Sequence, residues 1–324
     1  MSEQASRRQG AGAEEARPEG VSPVIEVRDF AKVFRDFWRR PRVTAVDGIS
    51  MSILPGEIFG LLGPNGSGKS TTMKTLMGLL RPTSGSIHVL GRSPRDILSK
   101  REIGYMPEES YLYRHLTARE TLDFYGRLFG LDRATRRERV AELLELTELT
   151  QAADRRVGEF SKGMARRVGF AQALINNPRL IFLDEPTAGL DPIGCSRVKK
   201  LLINLRDNGK TILLSSHLLA DVEDLCDRIA VLHKGRIIAR GRVGDLLKKT
   251  DKVRVTFSAP PAGRLAEVVA SIRSSVGDCP EMDHPAIDLE RFFLDVISGV
   301  QDETVGADAG VRLPLFLKYG GRSS

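Results

Sequence analysis

No stretch of the 324-residue chain approaches the roughly 20 apolar residues that a membrane-spanning helix needs. Nor does Met1 to Glu19 contain an apolar core of the secretory-signal kind. Synthesis and folding in the cytoplasm are therefore expected. Cysteine is scarce: Cys195, Cys226 and Cys279 lie far apart, with no metal-ligand spacing and no disulfide framework. They read as reduced thiols, the usual cytosolic pattern. Residues 1–22 have almost no large apolar groups and cannot bury enough surface to offset ordering entropy, so a disordered tail is expected there. The formal charge is +7, which suits a solvated basic surface, nucleic acid or anionic headgroups, and charge alone does not choose among them.

What is present is enough for a packed core. Hydrophobic residues make up 41% of the chain and charged residues 28%, a balance that suits one large or two ordinary globular domains at this length. Pro23 to Val27 alternates like a strand, and a basic, aromatic stretch from Arg35 to Arg42 reads as a surface loop. Val46 to Leu54 reads as a further strand. Ile58–Leu62, Leu180–Leu183 and Thr211–Leu214 are short apolar runs, the mark of buried parallel strands. Helical patterns fall at Ser70–Leu80, across Leu112–Leu149 and at Ile193–Asp207. This alternation predicts an α/β core with a mainly parallel sheet. Residues 248–324 differ in character, with a strand-like Val253–Phe257 and a helical Ala266–Ile272, and read as a small accessory domain.

The chemistry concentrates in a few motifs. Gly63-Pro64-Asn65-Gly66-Ser67-Gly68-Lys69-Ser70-Thr71 follows an apolar strand and opens a helix, the context of a phosphate-binding loop. Its glycines allow a tight turn, and backbone N–H groups at the helix start point at phosphates. Lys69 adds a positive charge for the β- and γ-phosphates, and the Ser70 hydroxyl is placed to ligate Mg²⁺. Leu180–Glu185 ends a strand in two acids, at the carboxyl edge where ligands bind in such sheets. Asp184 is suited to hold Mg²⁺ through water, and Glu185 to orient and deprotonate an attacking water.

With these motifs in hand the chain resembles an ATP-binding cassette (ABC) ATPase subunit, over about Val24 to Leu247. Phe160-Ser161-Lys162-Gly163-Met164 stands where the family's LSGGQ signature belongs, just before a helix that Ser161 can cap. Ala188-Gly189-Leu190-Asp191 matches the D-loop, and His217 the switch histidine that contacts the γ-phosphate. The resemblance implies a P-loop NTPase fold of the ABC type: a mainly parallel core sheet, an antiparallel β part and a helical subdomain at about 109–165. A small C-terminal α+β extension would follow at 248–324. It implies ATP and Mg²⁺ as ligands, Ser161, Gly163 and Asp191 as nucleotide contacts across a dimer, and an aromatic stacked on adenine. Phe34 fits that last place best, with Phe37 and Trp38 as rivals. Three departures stand out. Glu108 occupies the position of the Q-loop glutamine, where an oxygen still reaches Mg²⁺ or water but brings negative charge. Lys162 and Met164 replace Gly and Gln in the signature, and the segment before Thr44 is longer than usual.

The Glu108 variant, the altered signature and the C-terminal extension resemble subunits paired with type-2, exporter-like permeases. A single cassette without a span then implies a separate transmembrane permease subunit, a homodimer or a heterodimer with another cassette, and a peripheral place on the cytoplasmic face of the membrane. Two other readings stay open: a regulatory ABC ATPase on a non-transporting membrane partner, and a soluble ABC ATPase acting on nucleic acid. The last is disfavoured, because long coiled coils, zinc-binding cysteines and a second cassette are missing from the sequence. No nucleic acid partner is expected.

Overall fold

The computed structural model describes residues 20–38, 40–109, 111–247, 264–276 and 313–318. The expected tail over 1–19 and the expected strand at 253–257 lie outside the described residues. Contacts divide the chain into two units, Met1–Leu246 with Asp308–Ser324, and Leu247–Ala307.

Two sheets build the first unit. The larger one takes the order β5-β6-β7-β3-β8-β9, from Ile103–Met106 (β5), Leu180–Asp184 (β6), Thr211–Ser216 (β7), Ile58–Leu62 (β3), Arg228–His233 (β8) and Arg236–Arg242 (β9). All neighbours run parallel except β9, which pairs antiparallel with β8. The smaller sheet, β2-β1-β4, is antiparallel and uses Pro41–Ile53 (β2), Ile25–Arg35 (β1) and Ser84–Val89 (β4). The expected surface loop at Arg35–Arg42 is the tip of the β1–β2 hairpin, whose strands run longer than the sequence pattern suggested.

The strand period of two explains the layering. Ile58 and Leu62 of β3, Ile181 and Leu183 of β6, and Ile212 and Leu214 of β7 face one apolar cluster. The residues between them, Phe59, Leu61, Leu180, Phe182 and Leu213, join a second cluster with the antiparallel sheet. The first cluster is closed by Ala118–Leu128 (α3), Arg133–Leu146 (α4), Lys162–Leu174 (α5) and Pro192–Asp207 (α6). The long helical pattern over 112–149 is thus two helices. Gly130 at φ 75° ends the first, and Asp132 caps the second by accepting from the N–H groups of Ala134 and Thr135.

The C-terminal residues divide between the two units. Leu313 and Leu317 are buried in the first unit's apolar cluster, and the Arg139 guanidinium of α4 lies 4.8 Å from the Phe316 ring centroid. In the second unit, Arg264–Val276 is helical and covers the expected helix at 266–272.

Candidate functional site

Strand order places the motif residues side by side. The carboxyl ends of β5, β6, β7 and β3 lie next to one another, with Met106 opposite Leu183, Asp184 opposite Ser215 and Leu62 opposite Ser216. The residues that follow these ends are Glu108, Glu185, His217 and the loop from Gly63. Neighbouring strands are about 4.8 Å apart, so all four follow one edge of the sheet.

The loop closes through its own backbone. Gly63 and Gly68 have φ of 149° and 109°, and a Cβ on either would meet a carbonyl oxygen, of Leu232 at 2.2 Å and of Ala45 at 2.6 Å. Only glycine fits these two places. Lys69–Leu76 (α1) starts directly after Gly68, with no side chain capping its first N–H groups. Its first residue, Lys69, is 7% exposed, and the ammonium donates to Gly63 O at 2.5 Å and Pro64 O at 3.3 Å. A buried cation held by carbonyls alone, beside uncapped N–H groups, suits an anion. Ser70 is exposed at the rim, while Ser67 is buried with its hydroxyl oxygen unpartnered.

Opposite the loop, Asp184 accepts a hydrogen bond from Ser215 Oγ. Glu185 adopts φ 52°, a conformation few non-glycine residues take, fixed by its N–H donating to Ser215 O at 3.1 Å. Its carboxylate is buried, and Oε2 lacks a hydrogen bond although His217 Nδ1 sits 2.9 Å away. The two groups form a close polar pair at the end of β6 and β7. Burial, helped by the charge of Asp184, pushes the Tyr105 phenol up to about 12. Among the described residues, no three His, Cys, Asp or Glu side chains gather into a cage for a metal. The Asp184 and Glu108 carboxylates and the Ser70 hydroxyl, following neighbouring strand ends, are instead a sparse donor set of the kind that suits Mg²⁺, which retains waters and shares phosphate oxygens.

The remaining predicted residues are placed differently. Glu108 is exposed, with its carbonyl held and its side chain open to solvent. Ser161 caps α5 by accepting from Met164 N–H at 3.2 Å, and Gly163 faces Leu190. Lys162 lies against Gly189, so the signature packs on the D-loop of its own chain. Asp191 caps α6 through Gly194 N–H at 3.2 Å. Phe34 pairs with Val43 on the hairpin, two residues from Ala45, whose carbonyl abuts Gly68. Phe37 and Trp38 lie farther out, at the hairpin tip.

The comparisons with known proteins now bear on this site. Residues 46–188 match the family model described as ABC transporter. An uncharacterized ABC transporter ATP-binding protein of Synechocystis sp. is 39% identical over 263 residues, 80% of this chain and 74% of its own. The chain belongs to the ABC transporter ATP-binding proteins. The Nod factor export ATP-binding protein I of Rhizobium sp. (strain N33) is 44% identical, over 63% of this chain and 68% of its own. The linearmycin resistance ATP-binding protein LnrL of Bacillus subtilis is 41% identical, over 64% and 67%. Among solved structures, cbiO1 of Clostridium perfringens, part of the ABC transporter complex cbiONQ, aligns at TM-score 0.62 and 27% identity, over 79% of this chain and 96% of that one. A dimeric cassette in a post-hydrolysis state with ADP and Pi aligns at TM-score 0.62 and 26% identity, over 68% and 98%. The ABC chain is thus an ATP-binding, ATP-hydrolysing subunit with the fold its motifs implied. Among the described residues, no helix is long and apolar enough to cross a membrane.

Two features of this cassette lie outside the motifs. Arg166 of α5 is buried and donates to three carbonyls: Glu108 O at 2.7 Å, Pro186 O at 3.1 Å and Asp184 O at 3.4 Å. Burial pulls its proton affinity below that of an ordinary guanidinium, against the charges of Glu108, Glu185 and Asp184. Lys199 of α6 bridges Asp221 and Asp224, each at 2.9 Å, and Thr187 donates to Asp221. Asp221 lies on Leu219–Leu225 (α7), the helix just after His217, so this buried group links the turn beyond Glu185 to that helix. A signal for Arg166 was present. It stands four and eight residues before Phe170 and Leu174, on the helix face that is otherwise apolar.

Proposed function

We propose that two cassettes, of this chain or of this chain and a relative, close around two ATP molecules and drive a separate transmembrane permease in export from the cytoplasmic face. The direction rests on the relatives named for Nod factor export and linearmycin resistance. The observation that carries the catalytic part is the buried Glu185 carboxylate at the end of β6, one strand removed from the end of β3 that opens the phosphate loop.

In this reading, backbone N–H groups from Gly66 to Thr71, with Asn65 and Ser67 shaping the turn, hold the triphosphate. Lys69 leaves the Gly63 and Pro64 carbonyls for the β- and γ-phosphates. Ser70, Asp184 and Glu108 would hold Mg²⁺, which when bound neutralises phosphate charge. Glu185 takes the proton of the attacking water, and His217 orients the γ-phosphate beside it. Phe34, at the edge of the loop, stacks on adenine. Ser161 and Gly163, at the N-terminus of α5, and Asp191 complete the site of the opposite cassette.

Copurification tests the partner. The chain isolated from detergent-solubilised membranes is expected to bring a polytopic membrane protein with it, and to hydrolyse Mg-ATP. Recovery wholly in the membrane-free fraction, or with nucleic acid, contradicts the permease reading.

A further inference from the structure

The tip of the β1–β2 hairpin combines features that a core or a nucleotide site leaves unused. Asp36 N–H donates to Arg40 O at 3.0 Å, and Arg40 N–H to Asp36 Oδ1 at 2.8 Å, closing a compact turn. The turn points Phe37 and Trp38 outward, 93% and 74% exposed, with their rings edge to face at 5.6 Å. Trp38 is the chain's single tryptophan. Around the pair stand exposed Arg35, Arg40 and Arg42, with Pro41 and Val43 exposed behind them. Asp36, the acid within the tip, turns its carboxylate to the backbone.

We propose that this tip docks on an anionic lipid surface, with Phe37 and Trp38 entering the headgroup layer and the arginines pairing with lipid phosphates. Leaving two large aromatics in water is unfavourable, and a projecting apolar pair marks an interaction site. The tip is convex and cationic. A bilayer accepts such a shape without a matching pocket, and tryptophan and arginine both suit its interface. The nucleotide site makes no demand on the tip, because Phe34 stands nearer the phosphate loop. The inference extends the membrane-bound reading above by naming a lipid contact that the cassette makes itself, without the permease.

Because Trp38 is the chain's single tryptophan, its fluorescence reports on the tip alone. The full chain is mixed with vesicles of phosphatidylcholine, or of phosphatidylcholine with phosphatidylglycerol, with and without Mg-ATP. The expected result is a shift of emission to shorter wavelength and reduced acrylamide quenching with the anionic vesicles, weakened by salt. Arg40→Gln with Arg42→Gln should weaken that binding roughly 10–30-fold, at about a factor of five per charge near the surface, while ATP hydrolysis in solution stays within a few-fold of wild type. Phe37→Ser should weaken it too. No shift with anionic vesicles, or an equal shift with neutral ones, overturns the proposal. A shift with Mg-ATP alone overturns it as well and moves Trp38 into the nucleotide site. The vesicles hold no permease, so a negative result leaves the transporter reading standing.

Discussion

A guanidinium presents five donors in a rigid planar fork, which suits the place of Arg166 among three carbonyls from two chain segments. One side chain thereby ties the signature helix to the Glu108 loop and to the strand end carrying Asp184 and Glu185. Arg166→Ala leaves those carbonyls without a donor. Hydrogen bonds from charged groups are worth about 1.5–3 kcal/mol, and about 2–4 °C of melting temperature accompanies each kcal/mol at this size, so a loss of roughly 4–10 °C is expected. Hydrolysis should fall with it while ATP affinity is largely kept, and Arg166→Lys should restore only part of the rate because one ammonium cannot span all three acceptors. Wild-type melting and turnover in Arg166→Ala would remove this residue from the account. The motif residues were legible because phosphate chemistry dictates their spacing. Arg166 was not, since two adjacent arginines in a helix read first as a solvated face.

At the scale of elements, the short strands buried on both faces were legible: the apolar runs of β3, β6 and β7 stand where their patterns put them. β4, β5, β8 and β9 were not, because their short or half-exposed sequences carry little period-two signal. The extra reach of the hairpin was hidden by Pro41 and the charges around it, tolerated because the tip extends past the sheet. Leu313–Lys318 was missed for another reason. Six residues are too few to show a period, and their partners lie far earlier in the chain. That packing makes a stability prediction. Leu317 is fully buried, so Leu317→Ala should cost about 2–4 kcal/mol, read as a lower urea midpoint at unchanged slope. An unchanged midpoint would mean that the segment does not belong to this core.

For the whole molecule, the proposed function sets binding and hydrolysis as separate tasks on separate strands of one sheet. In the proposed mechanism the loop after β3 would supply N–H groups and Lys69 for the triphosphate, and the end of β6 would supply the carboxylate for water. A general base typically contributes about 10²–10⁴-fold in rate. Glu185→Gln retains size and polarity while removing a negative charge from the γ-phosphate's surroundings. Phosphate release should therefore collapse by about that factor, with ATP affinity held or raised. ATP trapped between the loop of one cassette and Ser161 of another should gather the variant into a dimer. The most direct measurement is sedimentation of purified Glu185→Gln with and without Mg-ATP, alongside phosphate release. The expected result is an inactive protein that dimerises only with Mg-ATP and loses that dimer when Lys69→Ala is added. Wild-type turnover, or an inactive protein that no longer binds ATP, would contradict it.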